Sequence, residues 1–97
     1  MKVVVKKPYK NDPLTEIPGV GKSIAADLRN IGITTIHDLV GKDPEKLYDM
    51  SNKHVGQVQD RCLLYVFRTA VYYANTNPKK RDPEKLKWWN WKDLLLV

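Results

Sequence analysis

One cysteine, one phenylalanine and two histidines are all that this 97-residue chain holds of those types. Cys62 has no second cysteine to pair with, so packing and not a disulfide must hold the fold. Its thiol, inside an apolar stretch, is expected to be reduced and buried as a small hydrophobe. His37 and His54 have no neighbours at metal-ligand spacing, and no nucleophile stands beside a base. A catalytic centre, a metal or a cofactor is therefore not expected. No apolar run approaches the roughly 20 residues that span a bilayer, and the amino terminus lacks a secretory pattern, so the expectation is a soluble, cytoplasmic protein without a membrane partner.

Negative charge is also scarce, with 17 Lys and Arg against 11 Asp and Glu and a net charge of +6. The excess is not spread evenly. Residues 1–12 carry +3, residues 13–60 carry −2 and residues 61–97 carry +5. A polyanionic partner would thus be attracted by the two ends of the chain more than by its middle. Residues 1–12, with Val3-Val4-Val5 among four lysines, read as a flexible basic arm, and residues 13–97 as a single helical domain.

What is present is a compact motif from Leu14 to Leu28. Leu14 and Ile17 are three apart, Pro18-Gly19-Val20-Gly21 follows as a turn, and Ile24, Ala25 and Leu28 recur at helical spacing. Two short helical faces therefore meet across a tight glycine turn. Gly19 and Gly21 suit a reversal that needs positive φ and close backbone approach. The helix that begins near Lys22 leaves the amides of Val20, Gly21 and Lys22 as donors at a positive dipole end, which favours a phosphate. Gly21-Lys22-Ser23 also echoes the end of a P-loop, but that loop needs a glycine where this chain has Glu16.

The segment resembles the helix-hairpin-helix motif of proteins that bind DNA without reading sequence, with Leu14, Ile17, Gly19, Gly21, Ala25 and Leu28 at every patterned place. The resemblance implies phosphate contact at Gly19, Val20, Gly21, Lys22 and Ser23. The alternative is a purely architectural turn in a protein-protein interaction module.

Further along, the second helix is expected to run from Lys22 to Asn30 and to stop at Gly32. Ile36, Leu39 and Gly41 repeat the spacings of Leu14, Ile17 and Gly19, but Asp43 replaces the second glycine, which favours a structural turn. Asp12-Pro13, Asp43-Pro44-Glu45 and Asp82-Pro83-Glu84 each read as a capped helix start. The Asp43 helix is expected to end near Met50, with Ser51-Asn52-Lys53 as a connection. The longest helix is expected from His54 to Ala74, with Val58 and Cys62 on its apolar face. Arg61 and Arg68 share one face of it, either as a phosphate-facing stripe or as cations paired with carboxylates. Lys79, Lys80 and Arg81 form a basic loop, a further candidate contact. Trp88, Trp89 and Trp91 either dock on the core or stack on bases.

Over residues 14–93 the order of features resembles a small bacterial family, the pathogenicity-locus helix-hairpin-helix proteins, also called mitomycin-resistance-like. The likeness rests on Ile17-Pro18-Gly19-Val20-Gly21, Ala26-Asp27-Leu28, Asp60-Arg61-Cys62 and Lys87-Trp88-Trp89-Asn90-Trp91-Lys92-Asp93. It implies an all-α fold, a compact bundle of five to six helices on a helix-hairpin-helix (SAM-like) core, and a role in DNA transactions such as repair or recombination.

Overall fold

The computed structural model describes residues 12–93, and every regular element among them is helical. Three α-helices carry the fold: α1 (Lys22–Asn30), α2 (Pro44–Val55) and α3 (Arg61–Asn75). Five short 3-10 turns join and cover them, at Pro13–Glu16, His37–Leu39, Pro78–Lys80, Pro83–Leu86 and Trp88–Trp91. In place of the expected five to six helices the described residues hold three α-helices, with single 3-10 turns where the others were expected. The basic arm up to Asn11 and the tail from Leu94 lie outside the described residues.

Local chemistry sets the boundaries. The carboxylates of Asp12, Asp43 and Asp82 accept from the amides of Leu14, Glu45 and Glu84, each with proline at the next position. α1 ends where Gly32 takes φ +94°, and the amides of Gly32 and Ile33 bond back to Arg29 and Leu28 at 3.1 and 2.9 Å. That pattern closes the last turn without a side-chain cap.

The expected helix from His54 to Ala74 is two elements. α2 runs on through Ser51-Asn52-Lys53 to Val55, and Gly56 ends it at φ +86°, its amide and that of Gln57 both bonding to the Asn52 carbonyl. A side chain at Gly56 would strain that conformation, so the glycine terminates a helix whose apolar pattern continues past it. Gln59 then ties the connection down: its amide nitrogen reaches Asn52 Oδ1, its side chain reaches Ser51 Oγ, and its carbonyl accepts from the Tyr48 hydroxyl. Asp60 caps α3 through the Cys62 amide at 2.8 Å. Cys62 therefore sits in the first turn of α3 and is exposed, not buried, and Val58 lies in the connection, 79% exposed.

α3 is the central element, burying Leu63, Leu64, Val66, Phe67, Thr69, Ala70 and Tyr73. Its fully buried Thr69 is satisfied by the Tyr65 carbonyl four residues back. Leu14, Ile17 and Val20 from the first turn, Ala25 and Leu28 from α1, and Leu39 and Leu47 complete one core around it. Asp12 and Arg29 lock the first turn to α1 with two parallel bonds of 2.9 and 2.8 Å in a half-buried setting.

Candidate functional site

The site grows from the Ile17–Gly21 turn. Ile17 bonds to Leu14 and Val20 bonds to the Ile17 carbonyl at 3.0 Å, which tightens the reversal. Gly19 stands at its apex with φ +89°. Val20 turns its side chain into the core, 4% exposed. The Val20 amide is engaged, so the open donors shift one residue along from the expected set. They are the amides of Gly21, Lys22 and Ser23 at the start of α1, whose N-cap is Gly21 and carries no side-chain cap. Lys22 and Ser23 are exposed. The result is a concentration of positive potential from three backbone dipoles and one ammonium.

The two glycines differ in what they permit. A Cβ on Gly19 would come within 3.2 Å of Trp88 Cδ1, whereas one on Gly21 would meet nothing within 4 Å. Gly21 has φ −95°, so it needs no left-handed backbone. The close approach at Gly19 is thus internal, made by the tryptophan segment, and the open approach is at Gly21. Trp88 packs on the core, Trp91 lies against Tyr72 with ring centroids 5.7 Å apart, and Trp89 remains 49% exposed.

The remaining basic candidates separate into two groups. Arg81 lies over the Tyr73 ring at 3.5 Å and donates to the Tyr73 carbonyl, while the Tyr73 hydroxyl donates to Glu16 in the turn before the hairpin. The Lys79-Lys80-Arg81 loop is therefore one side chain away from that turn. Lys79 and Lys80 are exposed on a 3-10 turn capped by Asn77. Burial and the Glu16 carboxylate both push the Tyr73 phenol above its ordinary value.

Arg61 and Arg68 belong elsewhere, in a carboxylate network. Arg61 pairs with Asp93, and Arg68 pairs with Asp93 and Glu45 and donates to the Trp91 carbonyl. The Arg61 guanidinium, followed by that of Arg68, holds the Asp93 carboxyl below the usual range. Both arginines are compensated in place, the second of the two readings open for them.

Among the described residues no group of three His, Cys, Asp or Glu side chains is placed to hold a metal, and no helix is long and apolar enough to cross a membrane. Sequence reasoning missed Tyr73, Glu16 and Trp88 as the parts that join the carboxy-terminal segment to the turn. Nothing local marks them, because each contact spans most of the described chain.

The family model described as "Pathogenicity locus" matches residues 8–94. A protein named "Mitomycin resistance protein McrB" from Streptomyces lavendulae is 36% identical over 78 residues, covering 80% of this chain and 69% of its own length. No solved structure matches. The match across nearly the whole chain, together with a relative of that identity and coverage, places this protein in the pathogenicity locus family.

Proposed function

We propose that the Leu14–Leu28 segment is a helix-hairpin-helix and that the protein binds DNA through the phosphate backbone, without reading sequence, in the bacterial cytoplasm. The reading is carried by one observation: the start of α1 has no side-chain cap, its residues Gly21, Lys22 and Ser23 are exposed, and the space around Gly21 is open. Phosphate oxygens fit such donors, and backbone contacts fix position without specifying bases. The nearby Lys79-Lys80-Arg81 loop supplies further positive charge. The first helix of the motif is here a single 3-10 turn, fixed to α1 by the Asp12–Arg29 fork.

About three phosphate contacts give a log-log salt slope near −2.7 and an affinity of roughly 10⁻⁴ to 10⁻⁶ M. The test is fluorescence anisotropy of labelled duplex and four-way-junction DNA, with the wild type and Gly21→Glu compared over a salt series. Gly21 is exposed with open space around its Cβ position, so the variant is expected to fold, which circular dichroism checks. Loss of salt-sensitive binding in the folded variant is the expected result. Equal binding by both proteins removes the site from the hairpin.

The second reading, a protein-interaction module, is favoured by Trp89, which stands edge-on to Trp88 and half exposed. It becomes the leading one if neither DNA binds at low salt.

A further inference from the structure

A second surface shares no lining residue with the hairpin. An open groove of about 860 Å³ runs between the Gly41–Pro44 turn, α3 and the segment from Asn90 to Asp93. Its volume falls in the range of small-molecule sites. Val71, Tyr72 and Trp91 give it an apolar and aromatic wall. Lys42 and Lys92 stand at it, both exposed and neither in an ion pair with any described residue.

The polar groups of the wall are already committed to the backbone. Asn75 accepts from the Gly41 amide and donates to the Val71 carbonyl, Thr76 donates to the Tyr72 carbonyl, and Trp91 Nε1 donates to the Lys85 carbonyl. Arg68, the third cation, is held by Glu45 and Asp93. Such a wall is rigid and offers few hydrogen bonds to the edge of a ligand. What it offers is two aromatic rings inclined at 44° to each other, with two ammonium groups beside them that no described carboxylate pairs.

We propose that this groove takes one unpaired nucleotide, its base stacked on the Trp91 ring with Tyr72 inclined at its edge, and its flanking phosphates met by Lys42 and Lys92. Stacking on an aromatic side chain beside cations is how single-stranded nucleic acid is held without sequence readout, since every base has a π-face. The source is a DNA strand interrupted by a gap or junction, which rests on the DNA-binding reading above. The groove then distinguishes interrupted from continuous duplex, a distinction the hairpin alone does not make.

The test uses the full chain and a duplex with a one-nucleotide unpaired position carrying 2-aminopurine, against the same base fully paired. Bound protein is expected to quench the unpaired base at least about twofold and to leave the paired one unchanged. Lys42→Glu/Lys92→Glu is expected to lose that quenching and about tenfold in affinity for the interrupted DNA. Its salt slope flattens by about 1.4 for two single-strand phosphates. Affinity for continuous duplex stays within about twofold. Gly21→Glu is expected to weaken both DNAs alike. Absent quenching with bound wild type, or equal losses on both DNAs in the lysine variant, overturns the proposal. If the wild type binds no DNA at low salt, the hairpin reading fails and deoxyadenosine monophosphate decides for the groove. A shift of the Trp91 indole resonance that the lysine variant lacks supports a nucleotide site, and no shift overturns it.

Discussion

Three glycine-to-alanine substitutions separate the forces acting on the hairpin. Gly21 has φ −95° and open space around it, so Gly21→Ala costs only the weaker capping preference of alanine, about 0.5 kcal/mol. Gly32 has φ +94° with nothing within 4 Å, so Gly32→Ala isolates left-handed backbone strain, about 1–2 kcal/mol. Gly19 has φ +89° and in addition Trp88 Cδ1 at 3.2 Å, inside the contact optimum of about 3.5–4.0 Å. Crowding of that kind adds about 1 kcal/mol, so Gly19→Ala should cost about 2–3 in total. For a domain of this size each kcal/mol lowers the melting temperature by about 4–8 °C. Urea unfolding of the three variants should therefore rank Gly21→Ala mildest and Gly19→Ala most severe. Adding Trp88→Leu should shrink the gap between Gly19→Ala and Gly32→Ala, because the interaction being measured is a contact between neighbours. If Gly19→Ala is no worse than Gly32→Ala, Trp88 does not pack on the turn and the account of that glycine is wrong.

Phe67 is fully buried at the centre of α3, so Phe67→Ala should cost about 3–5 kcal/mol and leave little cooperative unfolding in a calorimetric scan. The hydrogen bond from Arg29 holds the Asp12 carboxyl below its ordinary value. Its contribution is then present above the unfolded pKa of about 3.9 and lost as pH falls through the folded one. Asn can still cap the turn, so the stability gap between the wild type and Asp12→Asn should be full at pH 7 and close near pH 2, and a gap independent of pH refutes the pairing. Asp27 behaves in the opposite sense, its carboxyl raised by burial against a smaller opposing effect of His54. Asp27→Asn should therefore raise the melting temperature at pH 7 and change nothing near pH 2. Cys62 is exposed at the start of α3 while the hydrogen bond to Asp60 raises its thiol, so iodoacetamide should label the folded protein completely, slowly at pH 7 and faster at pH 9. Protection of that thiol until unfolding would contradict its placement.

Much of the fold is written in short range. Asp12, Asp43 and Asp82 each precede a proline, and each caps the element it announces, because capping depends on residues two or three apart. α1 begins and ends where Gly21 and Gly32 place it. The helix expected from His54 to Ala74 failed for an equally local reason. Lys53, His54 and Gly56 form a stop signal, and Asp60 a start signal, inside an apolar pattern that runs through both. Apolar periodicity alone runs straight through Gly56, and a helix continued in that register would carry Cys62 on its buried face, whereas the new start at Asp60 leaves it exposed. The candidate site divides along the same line. The turn and its glycines were visible as a pattern, and the fact that Val20 spends its amide on Ile17 was not, since that depends on how tightly the turn closes. Trp88 on Gly19, and Glu16 on Tyr73, join residues far apart in sequence, and no spacing rule reaches them.

The meeting of Trp88 with Gly19 also bears on how the chain reaches its native state. The apex of the first turn is completed by a ring from the last described element, so closure there waits for nearly the whole described chain to be in place. Helices α1 and α3 draw on local contacts and can form early, whereas this junction carries the high loop-closure cost of a distant pair. The Trp88–Gly19 contact is accordingly expected to be among the last to form and among the first to loosen, while the buried Leu14, Ile17 and Val20 and the Asp12–Arg29 fork hold the rest of the turn. With Trp89 and Trp91 replaced by phenylalanine, the emission of Trp88 would serve as a clock for that step.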